Sequence, residues 1–146
     1  MQMLVLYETI FGHNLELAQQ VQEEFPTSKL IKISAAKPES LKVAGLVVLC
    51  PCTYGEGQLT APEVSFCQGL DHSNLAATSY LVTGVGDKDY GSYQFARAAI
   101  IFDHYLKAAG AHPIAKPLRI DYDELNDKAV QIVTLIKNWQ KEADDG

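Results

Sequence analysis

Three short segments carry the residues that could do chemistry. The first is Glu8-Thr9-Ile10-Phe11-Gly12-His13-Asn14, which joins an apolar run to a helical one. Backbone N–H groups at the start of a helix lack partners and suit an anion such as phosphate. Gly12 lets a backbone approach closely, and Thr9 and Asn14 add side-chain donors. No P-loop lysine is present, and an ordinary turn with Asn14 as N-cap fits this segment equally well. The second is Pro51-Cys52-Thr53-Tyr54-Gly55-Glu56-Gly57-Gln58-Leu59. Its tyrosine can stack on a flat ring. The third, Thr83-Gly84-Val85-Gly86-Asp87-Lys88-Asp89-Tyr90-Gly91-Ser92-Tyr93, again joins glycines and acids to tyrosines. Here Tyr90 is the better stacking residue, whereas Tyr93 suits a role covering the next helix. One loop for phosphate and two with aromatic planes together describe a site for flavin mononucleotide (FMN).

The elements that must position these loops read as alternating strands and helices. Met3–Tyr7, Leu46–Cys50 and Tyr80–Thr83 are continuous apolar runs, the mark of strands buried on both faces of a parallel sheet. Lys29–Ile33 alternates and belongs nearer an edge. Ile114–Ile120 is a late edge strand interrupted by Pro117. Leu17, Val21 and Phe25 mark one helix, and a shorter helix runs from near Pro62 towards Leu70. Phe95, Ala99, Phe102, Leu106 and Ala109 mark a third, closed by Gly110. Ala129 to Trp139 is the stripe of the last helix, and Pro38–Val43 holds a further turn or two. The expected class is α/β, a three-layer doubly wound sheet of five parallel strands forming one domain over residues 1–146. Ligands in such sheets bind beyond the carboxyl ends of the strands, where the three loops lie.

The sequence resembles the short-chain flavodoxins over nearly its whole length. The likeness rests on Tyr7–Asn14, on Thr53-Tyr54-Gly55-Glu56-Gly57 and on Gly86-Asp87-Lys88-Asp89-Tyr90. Lys107–Ala111 and Pro117-Leu118-Arg119-Ile120 look like the family's last helix–strand junction. The resemblance implies the flavodoxin-like strand order 2-1-3-4-5 and a non-covalently bound FMN. Thr9, Gly12 and Asn14 match phosphate-loop positions, and Ile10, Phe11 and His13 occupy loop positions where backbone N–H groups serve. Thr53 and Tyr54, with Cys52 beside them, match the loop over the inner ring face. Gly55, Glu56 and Gly57 match the turn beside the flavin N5. Asp87 and Tyr90 match the loop over the outer face, with Val85, Gly86 and Tyr93 in the same site. The family places hydroxyl residues where this chain carries Ile10 and Phe11, and often serine where it has Cys52.

Composition narrows the function. A net charge of −6 argues against nucleic acid, whose phosphates demand a basic face, and suits docking on basic proteins. No apolar stretch is long enough to span a membrane, and Met1–Ile10 is not a secretory signal. Three cysteines without framework spacing fit a reducing, cytoplasmic compartment. Cys50 and Cys52 form a C-x-C pair without a second ligand pair, so lining thiols are the simpler reading. His72, His104 and His112 read as surface residues, and Glu142–Asp145 as a solvated tail. The resemblance implies a monomeric carrier of single electrons between a reductase and an acceptor enzyme, with no catalytic residues or metal of its own. Two alternatives stand beside it: an interaction module with this fold but no FMN, and a specialised activator of a metal-radical enzyme.

Overall fold

The computed structural model describes residues 2–145. Strand β1 (Met3–Tyr7) leads through the first loop to α1 (His13–Glu24) and β2 (Lys29–Lys32). Short 3-10 turns at Ile33–Ala35 and Pro38–Val43 precede β3 (Leu46–Cys50), which is followed by α2 (Ala61–Leu70). The long strand β4 (Ser79–Gly86) then leads to α3 (Arg97–Ala108). Two short strands, β5 (His112–Pro113) and β6 (Leu118–Asp121), come before α4 (Leu125–Asp145). All strand pairs are parallel, in the order β2-β1-β3-β4-β5, with β6 also paired to β4.

The fifth position of the sheet is thus filled in two pieces. β5 pairs with Ser79 and Tyr80, and β6 with Thr83–Gly86. Ile114 N–H gives a last bond to Tyr80 C=O at 2.9 Å, and 115–117 then leave the ladder, consistent with a proline that has no N–H to give. Other boundaries also differ from those expected. β4 extends to Gly86, which carries the third loop further out. Helix α3 begins at Arg97, so Phe95 lies outside it. Helix α4 continues to Asp145, so the terminal acids are exposed helical residues and not a tail.

Successive strand residues point to opposite faces, and both faces are covered. On one face Leu4, Leu6, Val47, Leu49, Tyr80 and Val82 meet Phe66, Phe102 and Leu106 of α2 and α3. On the other, Val5, Val48, Leu81 and Val85 meet Leu17, Val21, Ile132 and Ile136 of α1 and α4. This double burial explains why β1 and β3 are apolar throughout. It holds the carboxyl ends of β1, β3 and β4 side by side as a rigid base for three loops.

Candidate functional site

The first loop turns on Thr9 and Gly12. The Gly12 N–H donates to Thr9 Oγ1 at 2.7 Å, and Gly12 takes a left-handed φ of 92° as N-cap of α1. Among the described residues the N–H groups of Ile10, Phe11 and His13 have no protein partner. They are the donors that an anion would meet. Asn14 lies inside the helix and not at its cap. Its buried amide reaches across β3 to the end of β4, where Oδ1 accepts from Val85 N–H at 2.8 Å and Nδ2 donates to Val85 C=O at 3.2 Å. The amide expected to address phosphate is therefore engaged in tying the first loop to the third.

In the second loop Tyr54 and Gln58 exchange two backbone hydrogen bonds of 2.9 and 2.8 Å. The turn between them needs glycine on both sides of Glu56: Gly55 has φ 57° and Gly57 φ 89°, where a Cβ is strained. The base of the loop is held by Glu63 in the first turn of α2. Its carboxylate accepts from the N–H groups of Thr60 and Cys52, each at 2.9 Å, and Thr60 caps the helix in return.

The third loop passes through a 3-10 turn at Lys88–Tyr90 and returns against its own strand. A Cβ on Gly86 would stand 3.1 Å from the Ala96 nitrogen, so glycine there permits the close return. Ala96 itself takes a left-handed φ of 46° before α3 begins. From β6, Arg119 donates to the carbonyls of Ser92 and Phe95. Asp121 accepts from Lys88 N–H at 3.0 Å, and this bond holds its carboxyl below the usual range.

The three loops enclose a cavity of about 410 Å³. It is lined by Thr9, Ile10, Phe11, His13 and Asn14 from the first loop, and by Cys52, Thr53, Tyr54 and Gly55 from the second. Val85, Gly86, Asp87 and Tyr90 line it from the third. Four residues expected in the site lie outside the lining. Gly12 shapes the first loop, Glu56 and Gly57 belong to the turn of the second, and Tyr93 is exposed beside Arg97. Gln94, Phe95, Ala96 and Tyr122 line the cavity and were not expected there. Tyr122 comes from a fourth loop, after β6, and stacks on His13 with ring centroids 5.6 Å apart. His13 is thus part of the cavity wall.

Electrostatics around the cavity are acidic. Asp123 and Asp87 push the Tyr122 phenol up. Glu8, at the end of β1, is buried, and its Oε1 lies 3.6 Å from Lys32 Nζ. Among the described residues its Oε2 has no partner. Burial pushes Glu63 from its ordinary value of 4.5 up to about 7; the Thr60 and Cys52 donors oppose the shift and the charge of Glu8 adds to it. Burial also pushes the thiols of Cys50 and Cys52 up to about 12, so both stay protonated and suit packing more than redox work.

A family model described as Flavodoxin matches residues 5–133. The chain belongs to the flavodoxin family. A solved short-chain flavodoxin associated with a PDU bacterial microcompartment is 29% identical, covers 91% of this chain and 99% of its own, and superposes with a TM-score of 0.79. Oxidised flavodoxin 1 of Bacillus cereus shares the fold at 20% identity, with a TM-score of 0.85 over 94% of this chain and 98% of its own. The chain also aligns, at 22% identity over 94% of its length, with NADPH-dependent diflavin oxidoreductase 1 of Dictyostelium discoideum, and spans 22% of that protein. Within the family frame the cavity falls where the flavodoxin-like sheet places its ligand, beyond the carboxyl ends of β1, β3 and β4.

Two outcomes follow from these bonds. Asn14→Ala strands two buried backbone groups of Val85, which costs about 1–3 kcal/mol. It should lower stability in chemical unfolding and weaken riboflavin and FMN by the same factor; a loss confined to FMN would return Asn14 to the phosphate. For Glu63, a folded pKa above the unfolded one means a stabilising contribution that is complete below about pH 4.5 and lost as pH rises through about 7. The stability of wild type relative to Glu63→Gln should therefore fall over that range and then level off. An increase over the same range would contradict the raised value.

Proposed function

We propose that this flavodoxin holds one FMN without a covalent bond and relays single electrons between a reductase and an acceptor protein, with no substrate of its own. The observation that carries this reading is the cavity itself. It has unpartnered N–H groups on one loop and aromatic side chains on the two loops beside it. Its volume lies within the range of small cofactor sites.

The residues present fit the group. The N–H groups of Ile10, Phe11 and His13, with the hydroxyl of Thr9, would hold the phosphate. Tyr54 and Tyr90 would flank the ring, supported by the apolar surfaces of Ile10, Cys52 and Ala96. Bound FMN supplies the redox chemistry, taking up and releasing electrons one at a time. The protein's part is to orient the ring, exclude water from its faces and set the local field. Glu56 and Asp89 are exposed and Asp87 lines the cavity, so the loops around the ring present negative charge that opposes further charge on it.

The rim also indicates how partners would dock. Phe11, Tyr54, Tyr90 and Tyr122 are exposed around the opening beside the acids Glu56, Asp89 and Asp123. An aromatic, acidic rim suits brief contact with basic protein surfaces. The three cysteines are free and buried, consistent with work in a reducing cytoplasm. No helix among the described residues is long and apolar enough to cross a membrane.

Titrating the apoprotein with FMN, riboflavin and FAD tests the reading. Expected are one FMN per chain, quenched flavin fluorescence, weaker riboflavin and no comparable FAD binding. Tyr90→Ala should weaken FMN by about fivefold and restore part of the fluorescence. No binding at high micromolar FMN would remove the central claim.

A further inference from the structure

Arg97, the first residue of α3, touches both aromatic loops. Its Nη1 donates to the Gly57 carbonyl at 3.0 Å, and its guanidinium carbon stands 4.4 Å from the centre of the Tyr93 ring. Its stem lies against Gly57, where a Cβ would fall 3.1 Å from Arg97 Cδ. The next residue adds a second tie: Ala98 N–H donates to Thr53 Oγ1 at 2.8 Å. The second loop is therefore fastened near both ends, at Thr53 and Gly57, to the first turn of α3. Tyr93 belongs to the third loop, which bears Tyr90.

We propose that Arg97 is a positioning residue that latches the Thr53–Gln58 turn to the Lys88–Phe95 loop, so that Tyr54 and Tyr90 form one preset clamp for a planar ring. The proposal rests on the reading of the cavity as a flavin site. Arg97 does not line the cavity, so it acts through the Gly57 peptide and the Tyr93 ring. An arginine suits this double duty, since its guanidinium can donate a hydrogen bond and also lie over an aromatic face. Gly57 completes the device, because a side chain there would strain the turn and crowd the arginine stem. Fixing both walls beforehand removes the cost of ordering them when the ring arrives.

Arg97→Met keeps the stem and removes the guanidinium, and Arg97→Lys keeps the charge. Amide hydrogen exchange of the apoprotein reports the latch directly, because Tyr54 and Gln58 on one loop and Gly91 and Phe95 on the other carry hydrogen-bonded N–H groups. In Arg97→Met all four should exchange faster while the amides of β1, β3 and β4 stay as protected as in wild type. FMN and riboflavin should weaken by the same factor, about tenfold from the lost hydrogen bond and ring contact. Arg97→Lys should recover only part of that loss. Tyr93→Leu should loosen the same four amides, and adding it to Arg97→Met should cost less than the two changes summed. Unchanged exchange, faster exchange in one loop alone, or faster exchange spread into the strands would overturn the latch. So would a loss for FMN that spares riboflavin. If wild type binds neither flavin, the proposed function fails, and the exchange measurement still decides whether Arg97 joins the loops.

Discussion

The buried amide of Asn14 and the peptide groups of Val85 form the bond pair on which the site depends. Their strands are not neighbours, since β3 lies between β1 and β4. The pair spans that gap and joins the start of α1 to the end of β4, 71 residues away. Val85 is in register with Ile120 of β6 but lies beyond Val82, the last β4 residue paired with β3, and Asn14 meets its two buried backbone groups with a donor and an acceptor in one side chain. The anion-suited loop and one aromatic loop thereby share a single rigid reference.

The remaining ties act in the same way on smaller pieces. Glu63 holds the N–H of Cys52 at the root of the second loop and also caps α2, so a helix end and a cavity wall are set by one carboxylate. Arg119 and Asp121 pin the third loop from β6, so breaking the fifth strand into two pieces does not release that side of the cavity. The loops are exposed, yet each is fastened to an element of the buried sheet. That arrangement suits a carrier, because a ring held by preset walls reorganises little as its charge changes.

Much of this was legible in the residue pattern, and the rest was hidden for identifiable reasons. Leu46–Cys50 is apolar at every position because both its faces are covered, so strand and parallel sheet followed together. Tyr54 and Tyr90 were readable as residues of the strand-end site because glycines and strand ends bracket them, and both line the cavity. Phe95 was assigned to a helical stripe, since its spacing to Ala99 and Phe102 is right; the helix starts later because Ala96 takes a left-handed conformation that no alanine signals in advance. Tyr122 and its stack on His13 depend on where β6 ends relative to β1, which is a tertiary fact. The pairing of Asn14 with Val85 was not legible, because a side-chain amide offers no sign of which distant backbone it will meet. Nothing in the residue pattern marks Glu8 as buried, and only the packing around β1 shows it so.

The central claim is that the strand-end cavity holds a flavin mononucleotide with its phosphate on the first loop. Mapping backbone amide shifts of the ¹⁵N-labelled apoprotein during separate additions of FMN and riboflavin tests it most directly. The account predicts that the amides of the second and third loops move with both ligands, that Ile10, Phe11 and His13 move strongly with FMN alone, and that β1 and β3 stay in place. Shifts centred on the groove between α1 and α4, near Gln20 and Val133, or identical first-loop shifts with both ligands, would contradict it.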